Sequence, residues 1–136
     1  MNPYYKLDFS KGQIVATLQV IHDCVSKNRY IISKGSNRQQ NEDFIRHYNL
    51  TSTKQKRILL NIAPEDFCHA LQNTNLGFEH EVLYVFCPQV VLSNLDDNEE
   101  TVDVYTKFNI IDYSEEKRVV VISFHKRNKP ICYLFR

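Results

Sequence analysis

Residues 101–125, TVDVYTKFNIIDYSEEKRVVVISFH, decide the fold class of this chain. Apolar and polar residues alternate with a period of two on both sides of the polar run DYSEEK (112–117), which predicts two antiparallel strands joined by a hairpin turn. One face of the strand 101–111 is then apolar and carries Val102, Val104, Thr106, Phe108 and Ile110. The other face is polar and carries Asp103, Tyr105, Lys107 and Asn109.

The rest of the chain supplies helices first and strands afterwards. A helix over 11–27 follows the N-cap residue Ser10, and its apolar stripe consists of Ile14, Leu18, Ile21 and Val25. Further helices are predicted over 38–47 and from Ser52 to near Pro64, with the short strand RYIIS (29–33) between the first two. Other predicted strands are 66–73, 80–87, 117–125 and 130–135. This order predicts one α+β domain over 1–136, with about three helices on one face of a mostly antiparallel sheet of five to six strands.

Length and composition exclude several classes of protein. The chain has 136 residues, which suits a single domain, and no apolar run approaches the roughly 20 residues of a membrane helix. The N-terminus MNPYYKLDF has no apolar secretory segment, so we expect a cytoplasmic protein without a membrane partner. The 4 cysteines form no C-x-x-C pair, so the sequence predicts reduced thiols and no structural metal site.

The formal net charge of +1 conceals three segments of opposite sign. Residues 27–57 carry a net charge of +6, residues 79–116 a net charge of −9 and residues 117–136 a net charge of +6. This pattern is compatible with ordinary surface clumping, or with one surface for an anion and another for a basic partner.

Four polar side chains on the predicted strands are candidates for chemistry. His125 ends the strand 117–125 and is followed by Lys126 and Arg127, which is a suitable environment for a phosphate. The predicted faces of this strand are Val120, Ile122 and Phe124 on one side, and Val119, Val121, Ser123 and His125 on the other. His69 is predicted to share a face with Phe67 and Leu71. A lone histidine between apolar neighbours is more simply explained as a core or rim residue than as a catalytic one. For the polar face with Tyr105 and Lys107, taken alone, a solvated sheet face is the simpler explanation.

The C-terminal two-thirds of the chain resemble the MqsR family, the ribonuclease toxins of bacterial toxin–antitoxin pairs. The likeness rests on PEDFCHALQN (64–73), HEVLYVFCP (80–88), VDVYTKF (102–108) and VVVISFHKRN (119–128), in the order of the family. It implies a RelE-like fold, cleavage of mRNA without a metal or other cofactor, and neutralisation by a cognate antitoxin protein.

The resemblance also implies which residues act. The family's tyrosine falls on Tyr105 and is followed by Lys107, while two family lysines fall on His69 and His125. A family glutamine has no counterpart here, because Leu83 or Tyr84 occupies its place. Metal-free cleavage requires a base for the 2′-hydroxyl, an acid for the leaving oxygen and cations for the phosphate, and histidine titrates near neutral pH. We therefore expect His69, Tyr105 and His125 to be catalytic, and the cations Lys107, Lys126 and Arg127 to bind RNA.

The sequence is also compatible with two other functions. A non-catalytic RNA- or protein-binding module of the same fold is the first, since the family glutamine is missing. A cysteine-dependent hydrolase is the second, with Cys68 or Cys87 near a histidine. The acidic loop that contains Asp96, Asp97, Glu99 and Glu100 is either a solubilising loop or a docking surface for a basic antitoxin segment.

Overall fold

The computed structural model describes residues 4–113 and 115–136 of the chain. In this part it contains the α-helices α1 (Lys11–Ser26), α2 (Gln39–His47) and α3 (Ser52–Leu60). The strands are β1 (Tyr30–Ile32), β2 (Phe67–Gln72), β3 (Val82–Phe86), β4 (Gln89–Ser93), β5 (Glu99–Tyr113) and β6 (Glu116–Lys126). The prediction of an α+β fold with three helices and a mostly antiparallel sheet is confirmed for the described residues.

The strands form one sheet in the order β1-β6-β5-β3-β2, and β4 pairs separately with β5. All pairings are antiparallel except that of β1 with β6. The predicted hairpin between 101–111 and 117–125 is the β5–β6 pair, whose strands continue to Tyr113 and Glu116. Much of the run DYSEEK is therefore strand, while Ser114 lies outside the described residues.

Strand β4 was not predicted from the sequence, because the predicted strand over 80–87 stops just before Pro88. A proline has no N–H to donate to a neighbouring strand. Nevertheless the chain resumes pairing with β5 in an unchanged register, from Phe86↔Thr106 to Gln89↔Asp103. The carbonyl of Pro88 accepts the N–H of Val104 at 2.8 Å, so the proline removes one bond without ending the alignment.

The prediction of a strand over 130–135 is wrong. This segment is irregular, although the N–H of Leu134 donates to the carbonyl of Phe67 at 3.1 Å. Its side chains Ile131 and Tyr133 pack instead on a small cluster formed by Cys68, Val85, Cys87 and Tyr105. The alternation of apolar residues thus reflects a covering segment rather than a strand.

The main core lies between the helices and one face of the sheet. Helix α1 begins with a capping box, because Ser10 accepts the N–H of Gln13 and the Gln13 side chain accepts the N–H of Ser10. The predicted stripe is confirmed, since Ile14, Leu18, Ile21 and Val25 are all buried. Helix α3 is capped by Thr51 rather than Ser52 and ends at Leu60, before Pro64. The sheet contributes to this core Phe67, Ala70, Phe86, Val102, Val104, Phe108, Val119, Val121 and Phe124.

Helix α2 is attached to the sheet by a buried asparagine. The Asn41 side-chain amide donates to the carbonyls of Ser33 and Ile122 at 3.1 and 2.9 Å, and its oxygen accepts the N–H of Phe124 at 2.8 Å. Asn41 is 1% exposed, so these bonds satisfy polar groups that water does not reach. This anchor fixes the start of α2 beside the end of β6.

Two irregularities in pairing change which side chains share a face. The register shifts between Phe67 and His69 in β2, and between Lys107 and Phe108 in the β5–β6 pair, where β6 contains one extra residue. A bulge reverses the alternation of side chains beyond it. Phe67 consequently belongs to the main core, whereas His69 lies opposite, so the prediction that they share a face is wrong. In β6 the same effect places Val119 and Val121 in the main core and His125 on the other side.

Candidate active site

The polar side chains converge on the sheet face away from the main core, which we call the site face. One row across β2, β3, β5 and β6 reads His69, Val85, Lys107 and Ser123, each residue in register with the next. The neighbouring row on β5 and β6 pairs Tyr105 with His125. The site face therefore gathers the predicted residues His69, Tyr105, Lys107 and His125.

His125 is the best-defined proton acceptor on the site face. Its Nδ1 lies 2.9 Å from the carbonyl oxygen of Lys126. Since a carbonyl only accepts, Nδ1 carries the proton in the neutral ring and Nε2 holds the free lone pair. Burial lowers the pKa of His125 from 6.5, this hydrogen bond opposes the shift, and nearby cations reinforce it. The neutral imidazole thus predominates near pH 7.

Tyr105 lies beside His125, with the two rings nearly parallel and their centroids 5.4 Å apart. The phenol is 3% exposed and its hydroxyl has no hydrogen-bond partner within the described residues. Burial raises the pKa of Tyr105 to about 12, so the hydroxyl keeps its proton and can donate it. A buried hydroxyl without a partner is unfavourable in a stable core, and such groups often mark functional sites.

His69 occupies the opposite border of the site face, underneath the N-terminal segment. The ring of Tyr5 stacks on it with 3.6 Å between centroids and an interplanar angle of 7°. His69 is 2% exposed, and its Nε2 has no partner within the described part of the chain. Burial, assisted by Lys129 and Lys107, lowers its pKa to about 4. His69 is therefore neutral at physiological pH.

The separation of the two histidines limits what they can do together. His69 is on β2 and His125 is on β6, with β3 and β5 between them. At about 4.8 Å per strand, their backbones are about 14 Å apart. Tyr105, Lys107 and His125 form the compact centre of the site, and His69 lies at its border.

Two cations that were not predicted from the sequence, Arg38 and Lys129, complete the site. Arg38 and Lys129 both lower the pKa of Lys107 and that of His125, and burial is the largest cause for each group. The Nζ of Lys129 also lies 5.4 Å from the centroid of the Tyr105 ring. In residues 4–113 and 115–136, Arg38, Lys107 and Lys129 form no ion pair with a carboxylate. The centre consequently has a positive charge that an anion would balance.

Two other predicted RNA-binding residues lie outside this centre. Lys126 is in register with the core residue Val104, and its Nζ lies 3.9 Å from a carboxylate oxygen of Glu100. Arg127 is paired with Asp103, with 3.1 Å between Nε and Oδ2. In the basic segment 126–129, the side chain that lies near the Tyr105 ring is that of Lys129 and not that of Lys126 or Arg127.

The cysteines have the properties of packed thiols. Cys68 and Cys87 are 1% and 0% exposed, and burial raises their pKa values to about 12 and about 11. A thiol with such a pKa is protonated near pH 7 and is a poor nucleophile. The structure therefore gives no support to a cysteine-dependent hydrolase.

Comparisons with known proteins identify no relative. No protein-family model, curated protein or solved structure matches the chain. Across residues 4–113 and 115–136, no helix combines the length and the apolar character needed to cross a membrane. Among the same residues, no group of three or more His, Cys, Asp or Glu side chains is arranged to hold a metal ion.

Proposed function

We propose that the chain is an endoribonuclease that cleaves mRNA by acid–base catalysis, as a toxin with a RelE-like fold. The observation that carries the proposal is the convergence of a neutral imidazole, a protonated phenol and unpaired cations on one sheet face. These are the groups that cleavage through the ribose 2′-hydroxyl requires. In this proposal the protein acts in the cytoplasm and needs no metal or other cofactor.

His125 is the general base of the proposed reaction. Its Nε2 takes the proton of the 2′-hydroxyl, whose oxygen attacks the adjacent phosphorus. The bond from phosphorus to the 5′-oxygen breaks, which leaves a 2′,3′-cyclic phosphate on one product and a 5′-hydroxyl on the other. The leaving oxygen receives a proton from Tyr105, whose raised pKa keeps the hydroxyl protonated near neutral pH, or from the ammonium group of Lys107.

The cations hold the phosphate during this reaction. Lys107 lies within the site face, and Arg38 and Lys129 act on it from the residue before α2 and from the segment after β6. Fixed charges in a partly buried site stabilise a developing negative charge more than charges in water do. His69 has no part in the proposed reaction, because its strand is remote from that of His125 and the ring of Tyr5 covers it.

The experiment that tests this function compares RNA cleavage by wild type, His125→Ala and His80→Ala. His80 is an exposed histidine on the turn between β2 and β3, so its variant is the matched control. A positioned base contributes about 10²–10⁴-fold, and we expect a loss of that size for His125→Ala alone. Equal cleavage by a folded His125→Ala protein would refute the assignment, and loss of cleavage with a chelator would refute metal independence.

An antitoxin is the second proposed partner, and the acidic β4–β5 turn is the proposed docking surface. Glu100 is already occupied, because it accepts bonds from Tyr48 and Asn94 at 3.0 and 2.6 Å. Asp96 and Glu99 are exposed and free to attract a basic segment. If the double variant Asp96→Lys/Glu99→Lys binds the product of an adjacent antitoxin-like gene as tightly as wild type does, this surface is not the docking site.

A specific observation favours the alternative of a non-catalytic binding module. Tyr5 covers His69, and Tyr105 is almost fully buried. The Nε2 atom of His69 and the hydroxyl of Tyr105 therefore face no solvent in this conformation. A binding module would retain RNA without cutting it. Incubation of intact RNA with the purified protein separates the two, because only the enzyme produces cyclic phosphate ends.

A further inference from the structure

A groove of about 870 Å³ opens beside the proposed catalytic centre. Lys107 and Arg38 line it, so two of the three cations of the centre also line the groove. Its floor includes the apolar side chains of Leu71, Leu83 and Ile122. Ligand sites in proteins commonly have volumes of about 300–1,000 Å³ and an apolar floor with a few polar groups.

The lining of the groove also offers unused hydrogen-bonding groups. Thr74 and Asn75 line it, and their side chains make no hydrogen bond within the described part of the chain. Asparagine amides and threonine hydroxyls are among the groups that bond base edges. Lys6 adds a further cation, since its backbone pairs with Ala70 while its side chain lines the groove without an ion pair among the described residues.

We propose that this groove binds the part of a single-stranded RNA that flanks the scissile phosphate. The apolar floor receives a base, Thr74 and Asn75 bond its edge, and Lys6 contacts the next phosphate. A single strand suits the groove because its unstacked bases are free to enter a pocket, whereas those of a duplex are not. This inference rests on the proposed ribonuclease function, since that function brings RNA to Lys107.

The test measures binding of RNA that cannot be cleaved. Fluorescent oligonucleotides of U, of A and of C with 2′-O-methyl riboses are titrated into wild type, Lys6→Ala and Thr74→Ala/Asn75→Ala. The double variant Thr53→Ala/Lys54→Ala is the control, because both residues are exposed on α3, away from the groove. A thermal melt establishes that each variant is folded.

Each groove variant has its own expected result. Loss of the two base contacts weakens binding of the preferred oligonucleotide by about tenfold, and it reduces the difference between U, A and C. Loss of Lys6 weakens all oligonucleotides alike and lowers the slope of log affinity against log salt by about 0.7, as expected for one phosphate contact on a single strand. The control binds as wild type does.

Failure of the groove and failure of the catalytic proposal give different outcomes. If wild type binds none of the oligonucleotides, or if both groove variants bind as wild type does, the groove proposal is overturned, even if RNA is cleaved. If the variants lose affinity as expected but unmodified RNA stays intact, the groove proposal stands and the ribonuclease proposal falls.

Discussion

The buried state of His69 predicts how the stability of the fold depends on pH. The pKa of His69 is about 4 in the folded protein, against 6.5 for an ordinary histidine. Between these two values the unfolded chain binds a proton at this position and the folded chain does not. The free energy of unfolding therefore falls as the pH is lowered through this range. At 1.36 kcal/mol per pH unit, the loss attributable to His69 is about 3 kcal/mol.

Urea denaturation of wild type and of His69→Gln, at several pH values from above 6.5 to about 4, measures this contribution. Glutamine does not titrate, so the difference between the two proteins should change by about 3 kcal/mol across the range, while the other histidines contribute equally to both. Tyr5→Ala should reduce the change, because removal of the stacked ring hydrates His69. A difference that is constant with pH would refute the claim that His69 is buried and neutral.

Two further predictions concern stability and thiol reactivity. Asn41→Ala should lower the free energy of unfolding by about 3 kcal/mol, because it leaves the N–H of Phe124 without its partner in a buried position. Urea denaturation measures this loss, and a loss below about 1 kcal/mol would contradict the prediction. Cys132 is the exposed thiol among the four cysteines. Mass spectrometry after alkylation of the native protein should show one modified cysteine, with RNA cleavage retained, whereas rapid modification of Cys68 or Cys87 would contradict the burial of these thiols.

The sequence was sufficient to predict the regular parts of the fold. Apolar spacing located α1, and strict alternation located β5, since both patterns follow directly from the period of one element. It was not sufficient for β4 or for residues 130–135, because a proline need not end a strand and an apolar alternation need not form one. These outcomes depend on neighbours that are distant in the chain.

The candidate site was predictable in part. Tyr105, Lys107 and His125 belong to two strands joined by a visible hairpin, so their proximity followed from the register of that hairpin. The position of His69 on the same face depends on a bulge that no local pattern indicates. Arg38, which directly precedes α2, was also missed. Asn41 attaches α2 to β6 through hydrogen bonds to Ile122 and Phe124, and these partners lie 81 and 83 positions further along the chain.

If the site face cleaves RNA through the ribose 2′-hydroxyl, the chemistry of the product ends reveals it. A purified single-stranded RNA is incubated with the protein in the presence of a chelator, and the new ends are identified by mass spectrometry. We expect 2′,3′-cyclic phosphate and 5′-hydroxyl ends, and we expect them to disappear in His125→Ala. Intact RNA, or 3′-hydroxyl and 5′-phosphate ends, would contradict this expectation.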